Sequence, residues 1–375
     1  MDLSHFPIQP DSILKRLRRW VECESPSWDG AAVSAMAGLA AEDLRQMGAT
    51  VHTIPGNKGY GDCALAEFGP AGAGPGILVL GHLDTVHERG SLAGPMPWRE
   101  HEGRCYGPGA YDMKSGICLA LEAIERLRRE GISPKLPVRV LLTSDEESGS
   151  PSTRSLIEQT AREAKYVLVP EGSEPNGNLV SGRFPTTRFQ LWTYGKPSHA
   201  LLQRSAGRSA INAMAALLPR IEALNTPNCS FTVTYVRAGQ MVATVPMESY
   251  AEIICTARAQ DYLDEARALL EKLGSEEGVE IKVDIKARRP TWTPGPADER
   301  LWLQARDLAR STGLELNCEM LFGGSDGNFT GALGVPTLDA LGPVGADAHQ
   351  LTENIELSTL VPRGRVMAGL LATLE

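Results

Sequence analysis

The stretch LLTSDEESGS (141–150) closes an apolar run with three adjacent acids, Asp145, Glu146 and Glu147. Neighbouring carboxylates repel one another, so such a cluster at a strand end asks for a positive partner or a division of labour. Two residues leaving a strand in succession point in different directions. One glutamate can therefore hold a cation while its neighbour faces a water. A carboxylate that donates to a metal cannot also accept the water's proton, so the base must be the second one. Other chemistry-bearing residues also follow short apolar runs. ILVLG (77–81) precedes His82 and Asp84, YVLVP (166–170) precedes Glu171, YGPGAYDMKSG (106–116) carries Asp112, and GPVGADAHQ (342–350) carries His349. Imidazoles and carboxylates together suit zinc, and cobalt or manganese accept the same N and O donors. One ion cannot use them all. Two ions sharing a bridging carboxylate account for five ligands and keep positions open for water and substrate. Asp84, two residues after His82, can accept the other imidazole N–H and fix the tautomer.

These groups need a scaffold that gathers strand ends. In an open parallel sheet, functional residues lie just past the carboxyl ends of the strands. Residues 77–81 and 138–143 (VRVLLT) are continuously apolar, which predicts strands buried on both faces. Between them 115–129 has helical periodicity and is followed by Gly131 and Pro134, and 164–169 reads as a further buried strand. Helices are expected over 11–23, capped by Asp11 or Ser12, and over 31–47, ending at Gly48. This alternation predicts an α/β domain with a mostly parallel sheet flanked by helices.

From about residue 184 the pattern changes. Segments 187–194, 230–237, 249–258 and 279–286 alternate like half-exposed strands, with amphipathic helices over 209–224 and 261–273. The order β-α-β-β-α-β predicts a ferredoxin-like domain inserted at 184–290. Residues 1–183 and 291–375 then form the two parts of the catalytic domain, the second with a helix at 297–311 and a late strand at 336–340.

Composition narrows the partners. The chain has 375 residues, 42% hydrophobic and 22% charged, with a formal charge of −9 and no offsetting basic block. That argues against nucleic acid and anionic lipid as partners. No run of about 18 apolar residues predicts a membrane span, and the first residues lack the apolar core of a secretory signal. The seven cysteines, Cys23, Cys63, Cys105, Cys118, Cys229, Cys255 and Cys318, are scattered and include no C-x-x-C pair. A reduced, cytoplasmic protein is the expectation.

Taken together, GHLDTV (81–86), YGPGAYDMKSG, TSDEESGS (143–150), Glu171 and His349 resemble the co-catalytic dizinc metallopeptidase and aminoacylase family. That family includes glutamate carboxypeptidases, acetylornithine deacetylases and succinyl-diaminopimelate desuccinylases, and residues 85–116 are most similar to its carboxypeptidase G branch. The resemblance implies that His82, Asp112 and Glu171 bind one zinc ion and that Asp112, Glu147 and His349 bind the other. Asp112 would bridge, with a cis peptide bond after it. The resemblance also implies Glu146 as general base and Asp84 as the residue that orients His82. In the inserted domain, GKPSHA (195–200) is similar to the family's G-K-x-x-H-A. His199 would then stabilise an oxyanion across a homodimer made by this lid. Arg258 falls where the family binds a substrate carboxylate, and FGGSDGNF (322–329) resembles a pocket-lining loop with Gly324 and Ser325 nearest the substrate.

Departures from the pattern fall on surfaces that choose the substrate. Thr244 stands where the family often has Asn, Leu201 follows H-A in place of glycine, and SGRFPTT (181–187) replaces the common lid entry. The reading is a zinc-dependent hydrolase of an amide bond in a small carboxylate-bearing substrate, an N-acyl amino acid or dipeptide. Its alternatives are a deacylase or aminohydrolase on another small amide or amine, or an inactive binding homologue. Outside this set, His5, His52, His87 and His101 lack partners at useful spacing and read as structural or solvent-facing. Arg183 reads as a solvated loop charge, the tryptophans read as packing residues with Trp98 also a candidate for the cleft rim, and Arg288 or Arg289 could line the pocket.

Overall fold

Continuous apolar runs become the middle of a six-stranded sheet in the computed structural model. It describes residues 2–69, 74–239, 241–274 and 278–375. The strand order is Thr50–Ile54, Cys63–Phe68, Val138–Thr143, Gly76–His82, Ala164–Leu168 and Thr337–Leu338. The last four run parallel. The first two, which carry no strong apolar run, join as an antiparallel edge extension. Every residue of Gly76–His82 is buried, as expected for a strand covered on both faces.

Helices flank this sheet. Pro10–Glu22, Ser115–Arg129, Pro296–Arg310 and Leu360–Thr373 pack against one another, while Gly30–Gln46 lies on the strands Thr50–Ile54 and Cys63–Phe68. The cap of the first helix lies two to three residues earlier than expected: Gln9 precedes the helix and Pro10 opens it. Proline suits that position because its missing N–H would have no helical partner, and Asp11 sits in the first turn, where the dipole favours an acid. In the next helix Asp29 is the cap and accepts from the Ala32 N–H at 3.0 Å. Leu360–Thr373 has no amphipathic period to read, because it is buried almost all round. Arg363 lies within it, donating to the main-chain oxygens of Gly177, Ala340 and Gly342. Burial pushes its pKa down to about 10.

Close approach fixes where Ser115–Arg129 begins. A Cβ on Gly116 would lie 1.7 Å from the Pro170 oxygen, so only glycine lets the helix start beside the segment that carries Glu171. Trp20 and Trp292 are fully buried, but Trp28 is 61% exposed and does not serve the packing role expected of it. No helix among the described residues is long and apolar enough to cross a membrane.

By contact the chain divides into two units, Met1–Arg183 with Trp292–Leu321 and Ser325–Glu375, and Phe184–Thr291 with Phe322–Gly324. The second unit is a four-stranded antiparallel sheet in the order Cys229–Ala238, Glu248–Ala257, Thr186–Tyr194, Glu280–Arg289. Burial alternates along Glu248–Ala257. One face packs Phe189, Phe231, Ile253 and Cys255 against Met214, Leu217 and Ile221 of helix Ala210–Glu222 and against Leu263 and Leu270 of helix Gln260–Lys272. This is the ferredoxin-like order, built because each strand has one apolar face and the two helices cover it.

Candidate metal centre

The first unit brings five donors together from five separate segments. His82 is the last residue of its strand. Glu146 and Glu147 open a short 3-10 turn just past Thr143, and Glu171 follows Ala164–Leu168. Asp112 lies in a non-helical kink (φ −113°, ψ 95°) ahead of Ser115–Arg129, and its peptide bond to Met113 is cis. His349 comes from a loop in which it adopts φ 64°.

Asp112 is the centre of the cluster. Its Oδ1 lies 3.1 Å from Nε2 of His82, and its Oδ2 lies 3.1 Å from Nε2 of His349. On the first side, Oε1 of Glu171 is 3.7 Å from Nε2 of His82. On the other, Oε2 of Glu147 is 3.2 Å from Nε2 of His349. His82, Asp112 and Glu147 each present a donor within 4.8 Å of the other two. One carboxylate therefore has an oxygen toward each histidine, with one further glutamate on each side.

The electrostatics fit a divalent cation. Burial, and then the charge of Asp112, push Glu147 up to about 7 and Glu171 well above the usual carboxylate range. Burial works against ionised Asp112 as well, yet the hydrogen bonds from His349 and His82 hold it far below the carboxylate range. Hydrogen bonds to Asp112 and Glu147 push His349 up to about 11. For His82, burial opposes the charge, but the hydrogen bonds to Asp112 and Asp84 and the charge of Glu171 outweigh it. Three carboxylates this close must be offset by protons or by cations. Two imidazoles with three carboxylates form an N/O donor set that a metal takes up by displacing those protons.

Asp84 ties two arms of the cluster together, though not as its side chain alone suggests. Nδ1 of His82 lies 2.9 Å from the main-chain oxygen of Asp84 and 3.5 Å from its carboxylate. The carboxylate instead accepts from the N–H groups of Glu146 (3.1 Å) and Glu147 (3.2 Å) and from the Ser27 hydroxyl (2.5 Å). Asp84 thus positions the paired glutamates through their backbone as well as His82. Ser27 is a participant that the sequence reading passed over, and its only signal is a small polar residue in the turn-rich ESPSWDG (24–30).

One expectation is corrected here. Arg183 is not a solvated charge: it is buried and its Nε donates to Asp339 at 2.7 Å. Burial opposes its charge, but Asp339, with Glu171 and Glu146 beyond it, holds its pKa up. His87 is buried too and has a partner far away in sequence, with Nε2 lying 2.5 Å from Oε2 of Glu353. Ser325 is buried, its hydroxyl donates to Asp339 at 2.6 Å and its N–H to Asn328 at 3.0 Å. Its polar groups are thus engaged inside the protein, whereas Gly324 is exposed.

The remaining residues lie in the second unit. His199 is exposed, and its Nδ1 accepts from the N–H groups of Leu201 (3.3 Å) and Leu202 (3.2 Å). Arg258 is exposed, its Nε donates to the Pro227 oxygen at 3.2 Å, and its guanidinium lies 5.3 Å from the ring centroid of Phe322. Phe322 in turn stacks on Phe184 with centroids 4.2 Å apart.

A family model described as peptidase family M20/M25/M40 matches residues 78–373. Carboxypeptidase G2 of Pseudomonas sp. (strain RS-16) is 28% identical over 369 residues, covering 96% of this chain and 88% of that protein. Succinyl-diaminopimelate desuccinylase of Alkalilimnicola ehrlichii is 26% identical over 360 residues, covering 90% of this chain and 92% of that protein. Among solved structures, human carnosine dipeptidase 1 superposes with a TM-score of 0.75 at 15% identity, over 99% of this chain and 98% of that one.

Proposed function

The chain belongs to peptidase family M20/M25/M40, and from that premise we propose that it is a dizinc hydrolase of a small, carboxylate-bearing amide. His82, Asp112 and Glu171 would hold one ion, and Asp112, Glu147 and His349 the other. The observation that carries this reading is the placement of the two Asp112 oxygens, each 3.1 Å from a different histidine. Bound divalent cations acidify a water and withdraw charge from a carbonyl oxygen, and cobalt or manganese could serve in place of zinc.

The chain's own residues do the rest. Glu146, whose N–H is held by Asp84 at 3.1 Å, takes the proton of the attacking water and passes it to the leaving nitrogen. In neutral His199, Nδ1 accepts two main-chain N–H groups, so the ring proton sits on Nε2 and can be donated to a developing oxyanion. Arg258 binds the substrate carboxylate.

A second reading of the substrate is favoured by the aromatic pair beside Arg258. Phe322 is 45% exposed and stacked on Phe184. An aromatic face repels a second carboxylate and accepts an apolar group. That supports a deacylase or carboxypeptidase acting on an apolar or aromatic amino-acid half rather than on glutamate. A panel of N-acyl amino acids and dipeptides varied in each half tests both readings. Hydrolysis of N-acyl-phenylalanine or -leucine above N-acyl-glutamate is expected; the reverse order ends the second reading, and no hydrolysis across the panel ends the first. Arg258→Ala should raise KM for carboxylate substrates by about 10- to 100-fold with a smaller change in kcat, the cost of losing a charge-assisted contact.

We also propose a homodimer through the second unit. The strand Cys229–Ala238 lies at an edge of its sheet and exposes Tyr235 and Val236, with Met241 and Val242 exposed just beyond it. Such an edge invites pairing with another chain. Sedimentation velocity should find a dimer, and a fully active monomer would end this reading. A reducing compartment, the cytoplasm, is the reading that the scattered cysteines with no C-x-x-C pair support.

A further inference from the structure

One buried carboxylate outside the donor set connects three of the segments that carry donors. Glu353 is 1% exposed. Its Oε1 accepts from the main-chain N–H groups of Tyr111 at 2.8 Å and Asp112 at 3.1 Å. Its Oε2 lies 2.5 Å from Nε2 of buried His87. Glu353 follows His349 by four residues, and His87 follows His82 by five. A single side chain therefore links the loop of one histidine, the loop after the other, and the backbone of the aspartate that meets both.

The choice of residue matters. Two main-chain N–H groups could be satisfied by a carbonyl oxygen or a water, whereas a buried carboxylate is costly unless every lone pair is used. Hydrogen bonds to an ionised acceptor are about twice as strong as neutral ones. Such bonds would hold the two successive peptides Ala110–Tyr111 and Tyr111–Asp112 stiffly, and with them the rotation that aims each Asp112 oxygen. Lys114 adds a second anchor close by, donating to the main-chain oxygens of Trp20 at 2.9 Å and Cys23 at 3.1 Å.

We propose that Glu353 and His87 form a positioning pair that sets the direction of the Asp112 carboxylate and thereby couples the two cation positions. The inference rests on the two-cation reading above. Neither residue donates to a cation. Glu353 acts through the Asp112 backbone, and His87 acts through Glu353.

The test titrates metal-free protein with Zn2+ or Co2+ against a competing chelator. Stoichiometry, affinity, the visible Co2+ spectrum and the melting temperature of the metal-free chain are recorded for the parent, His87→Ala, His87→Gln and Glu353→Gln. Outer partners of metal ligands are worth about 10- to 100-fold in affinity. His87→Ala and Glu353→Gln should lose that much, shift the Co2+ spectrum and separate the two binding steps. His87→Gln, which restores an N–H donor, should recover most of the loss. Melting that falls while affinity and spectrum stay at parental values would show a structural pair only and overturn the proposal. A parent chain that binds neither ion would overturn the two-cation reading on which it stands.

Discussion

Glu146→Gln should lower kcat by about 10^2- to 10^4-fold while metal content and KM stay near parental values, the range that a positioned general base supplies. The separation follows from the geometry. Glu146 and Glu147 are sequence neighbours and both are buried, yet the carboxylate beside His349 and Asp112 belongs to Glu147. The main-chain N–H of Glu146 is held by Asp84, and glutamine retains that bond. The substitution therefore removes a proton acceptor while keeping the side-chain size and this backbone contact. Glu147→Gln is the contrasting control, since it should reduce metal content together with activity. Elemental analysis and steady-state kinetics on both variants decide the assignment. Parental turnover in Glu146→Gln would hand the base's role to another residue.

Asp112→Asn is expected to have the broadest effect of any single change. It keeps the side-chain volume but removes the charge that lies 3.1 Å from both histidines. Burial, and then this charge, push Glu147 and Glu171 toward their protonated forms, and the asparagine variant still carries both buried acids. It simply lacks the one that faces both sides. Both cations should be lost or weakened well beyond the ~10- to 100-fold expected of an outer partner, and amide hydrolysis should vanish with them. His349→Ala, by contrast, should impair chiefly the position shared with Glu147. Two equivalents bound by Asp112→Asn at parental affinity would refute the bridging role.

The legible part of the site was the part encoded locally. His82, Glu146, Glu147 and Glu171 follow apolar runs, and a buried strand must leave the core at its carboxyl end, where polar residues can emerge. The inserted unit was legible for a similar reason, because strands covered on one face alternate visibly. Leu360–Thr373 and the antiparallel strands Thr50–Ile54 and Cys63–Phe68 were not, the helix because it is buried nearly all round and the strands because they carry no strong apolar run.

Contacts made between distant segments were also hidden. His87 and Glu353 are 266 residues apart, and Arg183 and Asp339 are 156 apart. No spacing rule relates either pair, and an isolated histidine or arginine in a loop usually faces solvent. The use of Asp84 was hidden at shorter range. Its distance from His82 suggested a side-chain bond to the ring, while the strand packing turns its carboxylate toward the N–H groups of the paired glutamates.

By itself, then, the sequence determined the chemistry: which donor types are present, which neighbouring acids can divide metal binding from proton transfer, and which alternating segments form a separate sheet. Those are properties of residue type and local period. The family resemblance implied a bridging Asp112, and the tertiary structure gives that role its geometry, one oxygen 3.1 Å from each histidine, with Glu353 fastening the backbone beneath it. Such directions depend on where strands and loops remote in sequence come to rest, and packing, not spacing, fixes that.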